Sequence, residues 1–178
     1  MSKEFIVFCL YVIVIAYVVA TRRTKYYLPA AVALAVSFAW NYLARGMYEY
    51  TTSTVAVLGI NIYSLLGWAA GLWFGYMFFR FVVGRLGVIK FWKELVLFNA
   101  FYIPILLLLE TVAYHFFGVV NGATAIYPGL PVCDCIHAPG WMQAVYLLMG
   151  TIFMLCLRLC QRGFKRYSES IDSKVKVS

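Results

Sequence analysis

Glu110 stands inside "IPILLLLETVAYHFF", a run so apolar that an ionised carboxylate there costs several kcal/mol. Such residues as a rule face a bundle interior and take part in function. The chemistry within reach is proton transfer, with the buried carboxylic acid as donor. At 100° per residue, Asn99, Tyr114 and Asn121 fall within about 40° of Glu110 on one helix face, whereas His115 lies about 140° away. Pro104 leaves the carbonyl of Ala100 without its helical donor and favours a bend beside the acid.

A second concentration of reactive groups is "YPGLPVCDCIHAPGW", Tyr127 to Trp141, with two of the five cysteines, one of the two histidines and three of the five prolines. Cys133, Cys135 and His137 alternate, so an extended chain would present them on one face, and two thiolates with an imidazole suit zinc or copper. Spacing argues against that. Residues four apart in a strand are about 13 Å apart, while donors on one ion lie within about 4 Å of each other. No glycine stands between Pro131 and Pro139 to make a tight turn, so no metal is expected. A Cys133–Cys135 disulfide and an inert, proline-braced packing of both thiols stay open. Asp134 and His137 form a candidate acid–base pair in the same stretch.

The elements that must carry these groups are membrane helices. The 178 residues are 64% hydrophobic and 12% charged, with mean hydropathy +0.83, a balance that belongs in lipid. About five segments are long enough to span: Phe5–Ala20, Tyr27–Ala44, Val55–Val83, Leu95–Val120 and Trp141–Cys160. The fold class is therefore all-α, a polytopic transmembrane helix bundle. Basic connectors, such as Arg22, Arg23 and Lys25, alternate with neutral ones, which puts the N-terminus outside and the C-terminus in the cytoplasm. The first apolar run precedes its basic cluster and reads as an uncleaved helix. Residues 1–160 form the transmembrane domain, 121–140 its non-cytoplasmic lid, and 161–178 a loose, basic cytoplasmic tail.

The net charge of +8 is spread as short clusters, which suits anionic headgroups and not nucleic acid. No P-loop, dinucleotide fingerprint, nucleophile elbow or metalloprotease helix occurs, and the reading calls for no cofactor. In this topology Glu110 lies roughly 15 Å below Asn121, and Asn41, Asn61 and Ser64 come from comparable levels. Polar side chains thus gather beneath the lid, although asparagines in membrane helices often only bridge helices, at about 0.6 kcal/mol each. Gly67, Gly71 and Gly75, four residues apart, are expected to let the alanine-rich second helix approach closely. Cys9, Cys156 and Cys160 read as small hydrophobes.

The segment "TRRTKYYLPAAVALAVSFAWNYL" resembles the start of the integral-membrane terpene cyclases of fungal meroterpenoid and indole-diterpene pathways. It shares a basic connector followed by a helix that ends in Phe38-Ala39-Trp40, and Asn41 stands where that family carries an acid. The resemblance implies an isoprenoid substrate and cyclase or isomerase chemistry. Together these readings describe an intramembrane enzyme acting on a lipophilic, isoprenoid-like small molecule. Glu110 is its proton donor, Tyr114, Asp134 and His137 complete the catalytic group, and Trp40, Asn41, Asn61 and Asn99 bind substrate. The alternative is a non-catalytic membrane subunit with a protein partner, or a carrier using Glu110 as a proton or cation site.

Overall fold

The computed structural model describes residues 24–49, 56–84 and 90–175, with Cys9, Val12, Ile13 and Ala16 from the first apolar run. The expected span Phe5–Ala20 otherwise lies outside the described residues. A 3-10 turn, Thr24–Tyr26, leads into α1, Tyr27–Leu43. Next come β1, Ala56–Val57, and β2, Ile60–Asn61, and then α2, Ile62–Val83. Helix α3, Phe91–Thr111, continues as a π turn, Val112–Phe116, and α4 runs over Gly140–Val175.

Among the described residues, three helical stretches are long and apolar enough to cross a membrane: Ile62–Val83, Phe91–Phe116 and Gly140–Phe164. Helix α1, at 17 residues, spans about 26 Å, near the lower end of what a bilayer core requires. The element boundaries differ from expectation for local reasons. The third expected helix starts at Ile62 and not Val55, because Leu58 and Gly59 both take positive φ and close a two-residue hairpin between β1 and β2. Asn61 then caps α2, its Oδ1 accepting from the Ser64 N–H at 3.2 Å. Pro104 is absorbed within α3, and the π turn ends that helix before Val120. The helical backbone of α4 passes Cys160 and reaches Val175, so the expected loose tail is helical over most of its length.

The helices run antiparallel to their neighbours, and two ends of the bundle differ in chemistry. At the basic end, Phe79 packs on Phe98 at 5.3 Å and on Phe101 at 6.3 Å, and Arg80 pairs with Glu94, so α2 and α3 are pinned together. Phe153 of α4 joins the same aromatic layer, 6.0 Å from Phe98 and 5.8 Å from Tyr76. Helix α4 meets α3 closely at Gly150, where a Cβ would fall 2.7 Å from the Tyr102 ring. Tyr102 donates to the Tyr146 carbonyl at 2.9 Å, and Thr151 donates to Asn99 Oδ1 at 3.1 Å.

At the opposite end, the connector after α1 meets the long connector before α4. The Glu49 N–H donates to Asn121 Oδ1 at 2.8 Å, Asn121 Nδ2 donates to the Met47 carbonyl at 2.7 Å, and the Gly122 N–H donates to the Glu49 carbonyl. One asparagine amide thus stitches two loops into a single cap. The fully buried ring of Phe79 holds the other end. Phe79→Ala should cost about 3 kcal/mol or more in a reversible unfolding titration in mixed micelles, whereas Phe78→Ala, at a half-exposed position, should cost under half of that.

Candidate functional site

Between α2 and α3, below the cap, lies a cavity of about 410 Å³. The two helices are tied at the basic end, and at the other end the loop 117–139 lines the space between them. Glu110 and Tyr114 line it from α3, and His137 from the loop. Tyr63, Ser64 and Trp68 line it from α2, and Tyr48, Thr124 and Tyr146 close it. The carboxyl of Glu110 has no hydrogen-bond or ion-pair partner among the described residues. A carboxyl left without a partner in an apolar wall is a cost that packing alone does not explain.

The structure brings together only part of the expected site. Glu110, Tyr114 and His137 meet at the cavity, with the Tyr114 and His137 rings stacked at 4.4 Å. Asp134 is exposed, and its Oδ1 lies 3.6 Å from His137 Nε2. Both ring nitrogens of His137 face carbonyl oxygens, Nδ1 that of Tyr127 at 2.9 Å and Nε2 that of Asp134 at 3.2 Å. The imidazole therefore holds the loop and turns its ring, rather than a nitrogen, along the cavity wall.

Trp40, Asn41, Asn61 and Asn99 do not line the cavity. Asn41 donates to the Ser37 carbonyl and Asn99 to the Leu95 carbonyl, each one turn back and each at 2.8 Å. Asn61 is the cap of α2, and Trp40 donates its indole N–H to Tyr48 at 2.6 Å. Asn99 does share a helix face with Glu110, but α4 covers that face at Asn99 and leaves it open at Glu110.

Composition and spacing found Tyr114 but missed Tyr48 and Tyr146. The Tyr48 oxygen receives the indole N–H of Trp40, and that of Trp68 at 3.1 Å, and it pairs with the Tyr146 hydroxyl at 2.8 Å. Two indole N–H groups donate to this oxygen, and a second hydroxyl pairs with it. Nothing in the spacing marks Tyr48, a connector residue that meets Tyr146 across 98 positions.

The loop above is a compact lid. Cys133 and Cys135 form a disulfide, with Cα atoms 5.1 Å apart, so neither offers a thiolate to a metal. The expected absence of a tight turn is overturned. The N–H groups of Cys133 and Asp134 both donate to the Leu130 carbonyl, and the Leu130 N–H donates to the Cys135 carbonyl. Asp134 and Ile136 supply the left-handed conformations, φ +45° and +53°, that glycine would otherwise provide. Gly129 allows the closure, since a Cβ there would fall 2.8 Å from Asp134 Oδ1. The first turn of α4 holds the lid through Gln143 Nε2, which donates to the Pro128 and Ile136 carbonyls. His115 Nε2 lies 3.2 Å from the Cys133 carbonyl, joining the lid to the π turn.

No family model matches the chain, and no curated protein and no solved structure matches it.

Burial pushes the Tyr48 phenol up from the ordinary 10.0 to about 12, against the smaller opposing effect of its hydrogen bonds to Tyr146, Trp40 and Trp68. Below pH 10 the phenol is neutral in folded and unfolded chains alike, and its stabilisation is constant. Above pH 10 the unfolded chain ionises first, so the contribution falls and is lost as pH passes about 12. The stability gap between the native protein and Tyr48→Phe should therefore be flat up to about pH 10 and narrow towards pH 12 in thermal unfolding.

Proposed function

We propose that this chain is an intramembrane enzyme that acts on a lipophilic, isoprenoid-like substrate, with Glu110 as proton donor. The observation that carries the reading is the Glu110 carboxyl, without a partner among the described residues, in the wall of a capped cavity between two apolar helices. Protonation of a substrate alkene by the acid leaves Glu110 as carboxylate and the substrate as a carbocation. The rings of Trp68, Phe101 and Tyr102 line the same space and offer π faces to that charge. Loss of a proton from a neighbouring carbon back to Glu110 gives an isomerised or cyclised product and restores the acid. No redox partner or cofactor enters this balance. The lid keeps out the water that would quench the cation, and His137 and Tyr114, stacked beneath it, position it over the acid.

The likeness to membrane terpene cyclases supports the same substrate class. Asn41, at the family's acidic position, is buried away from the cavity, so this reading moves the proton-donating role to Glu110.

In this reading the chain crosses the bilayer about five times, with its N-terminus outside, the lid on the non-cytoplasmic face and the basic clusters on the cytoplasmic face. Joining of the connector after α1 to the lid at one end of the bundle supports that alternation. Reporter fusions after Lys93 and Ser178 should read cytoplasmic, and fusions near Glu49 and Asp134 should read outside. An inside reading near Asp134 would separate lid and basic connectors the wrong way and end the topological argument.

Glu110→Gln keeps volume and removes the transferable proton. Lipid extracts from cells making the native protein should contain a product that is missing from cells making Glu110→Gln, with equal protein yield and melting temperature. An unchanged product in the variant, or a stable stoichiometric protein partner with no lipid change, would favour the non-catalytic subunit or carrier instead.

A further inference from the structure

Gly67, Gly71 and Gly75 all line the cavity, and a Cβ built on any of them meets nothing within 4 Å among the described residues. Gly150 shows the contrast. Its Cβ would collide with the Tyr102 ring, so that glycine is there for helix contact. The expectation that the α2 glycines admit the second helix is therefore overturned. Helix α1 does pack on α2, but the buried face of α2 carries Ala69, Leu72, Trp73 and Tyr76, and the exposed Gly67 and Gly71 mark a different one. The glycines take side chains out of a wall that no described residue covers at those positions.

The result is a bare track eight residues long, about 12 Å, with a pit every four residues, about 6 Å. The cavity wall on α2 runs from Tyr63 to Gly75, about 18 Å, so this space is an elongated slot and not a bowl. Its two ends differ. Glu110, Tyr114, Thr124 and His137 lie at the lid end. Around Gly71 and Gly75 the wall is Leu72, Phe98, Phe101 and Tyr102, whose hydroxyl is committed to the Tyr146 carbonyl. At the basic end the lining rings are Phe98 and Phe101, with the buried Phe79 packed on both from outside the lining.

We infer that this slot holds one linear isoprenoid chain, its polar or reactive end beneath the lid and its tail along Gly67, Gly71 and Gly75, and that the blind end limits tail length. Regular pits suit a chain with regular methyl branches better than a smooth polymethylene chain. The inference deepens the proposed function by naming how the substrate lies, and it rests on that reading only for the chemistry at Glu110. A side chain added at Gly75 shortens the slot from its closed end, and one at Gly71 shortens it by about a further 6 Å.

The test is native mass spectrometry of the purified protein with linear isoprenoid alcohols, lengthened one unit at a time, and straight-chain alcohols of matched length. Gly75→Leu should weaken binding of the longest alcohol that the native protein accepts by about tenfold or more, while sparing shorter ones. Gly71→Leu should lower the accepted length further. Gly71→Ala should melt no lower than the native protein, because alanine favours helix and meets no neighbour. Equal length limits in all variants, or equal binding of straight-chain alcohols, would overturn the assignment. So would a lower melting temperature for Gly71→Ala, which would make the stripe a packing face. Glu110→Gln should keep the native length limit, so loss of turnover there and loss of the limit in the glycine variants report on separate claims.

Discussion

The hydroxyl of Tyr48 receives the indole N–H of Trp40 from α1 and that of Trp68 from α2, and it hydrogen-bonds Tyr146 from α4. Three helices therefore converge on one oxygen at the lid end of the bundle. The rings reinforce it, with Tyr146 edge-on to Trp68 at 4.6 Å and to Trp40 at 5.8 Å. In lipid, apolar burial does not separate right from wrong helix contacts, so satisfied polar groups and close packing must do so. Helix α3 is held to α4 through Tyr102 and Asn99 and to α2 through the phenylalanines and the Arg80–Glu94 pair at the far end. Both ties between α2 and α3 named here lie at the basic end, and the cavity opens at the other. Its position follows from where the polar ties fall.

The lid depends on the same end. Asn121 spends its amide on the connector that carries Tyr48, so the loop that covers Glu110 and the hub that defines the cavity are fastened together. Within the lid, two non-glycine residues take left-handed conformations, Asp134 inside the Cys133–Cys135 ring and Ile136 just after it. Backbone held in such regions persists only where its surroundings over-determine it. Here they do: Leu130 takes three backbone hydrogen bonds, and Gln143 and His137 fix the carbonyls on either side. A rigid cap on a space lined by an acid that has no partner among the described residues fits a site that must exclude water.

Much of this plan was readable before the fold was known. An acid in an apolar run, a tyrosine one turn on, and a proline-rich loop with histidine gave three cavity residues and their lid. Helical spacing assigns a face but not what covers it at each depth, and for that reason Asn99 and Glu110, on one face, have different surroundings. Asn41, Asn61 and Asn99 were misread because an asparagine in a helix can turn its amide to a carbonyl one turn back or to its own helix start, and so away from a neighbouring space. Four-residue glycine spacing announces a bare backbone without saying whether a helix or a void lies against it. The Tyr48 hub joins residues far apart in the chain, and no local pattern carries it.

The central claim is that Glu110 faces a lidded apolar slot that admits a lipophilic molecule, and carbodiimide labelling tests it most directly. A hydrophobic carbodiimide should modify Glu110 in the native protein. It should leave Glu49, exposed at the surface, and Glu94, paired with Arg80, largely unmodified. A water-soluble carbodiimide should not reach Glu110 behind the lid, and a saturating linear isoprenoid alcohol should protect it, as read by mass spectrometry of the labelled peptide. Modification of Glu110 by the water-soluble reagent, or labelling that the alcohol leaves unchanged, would contradict the account.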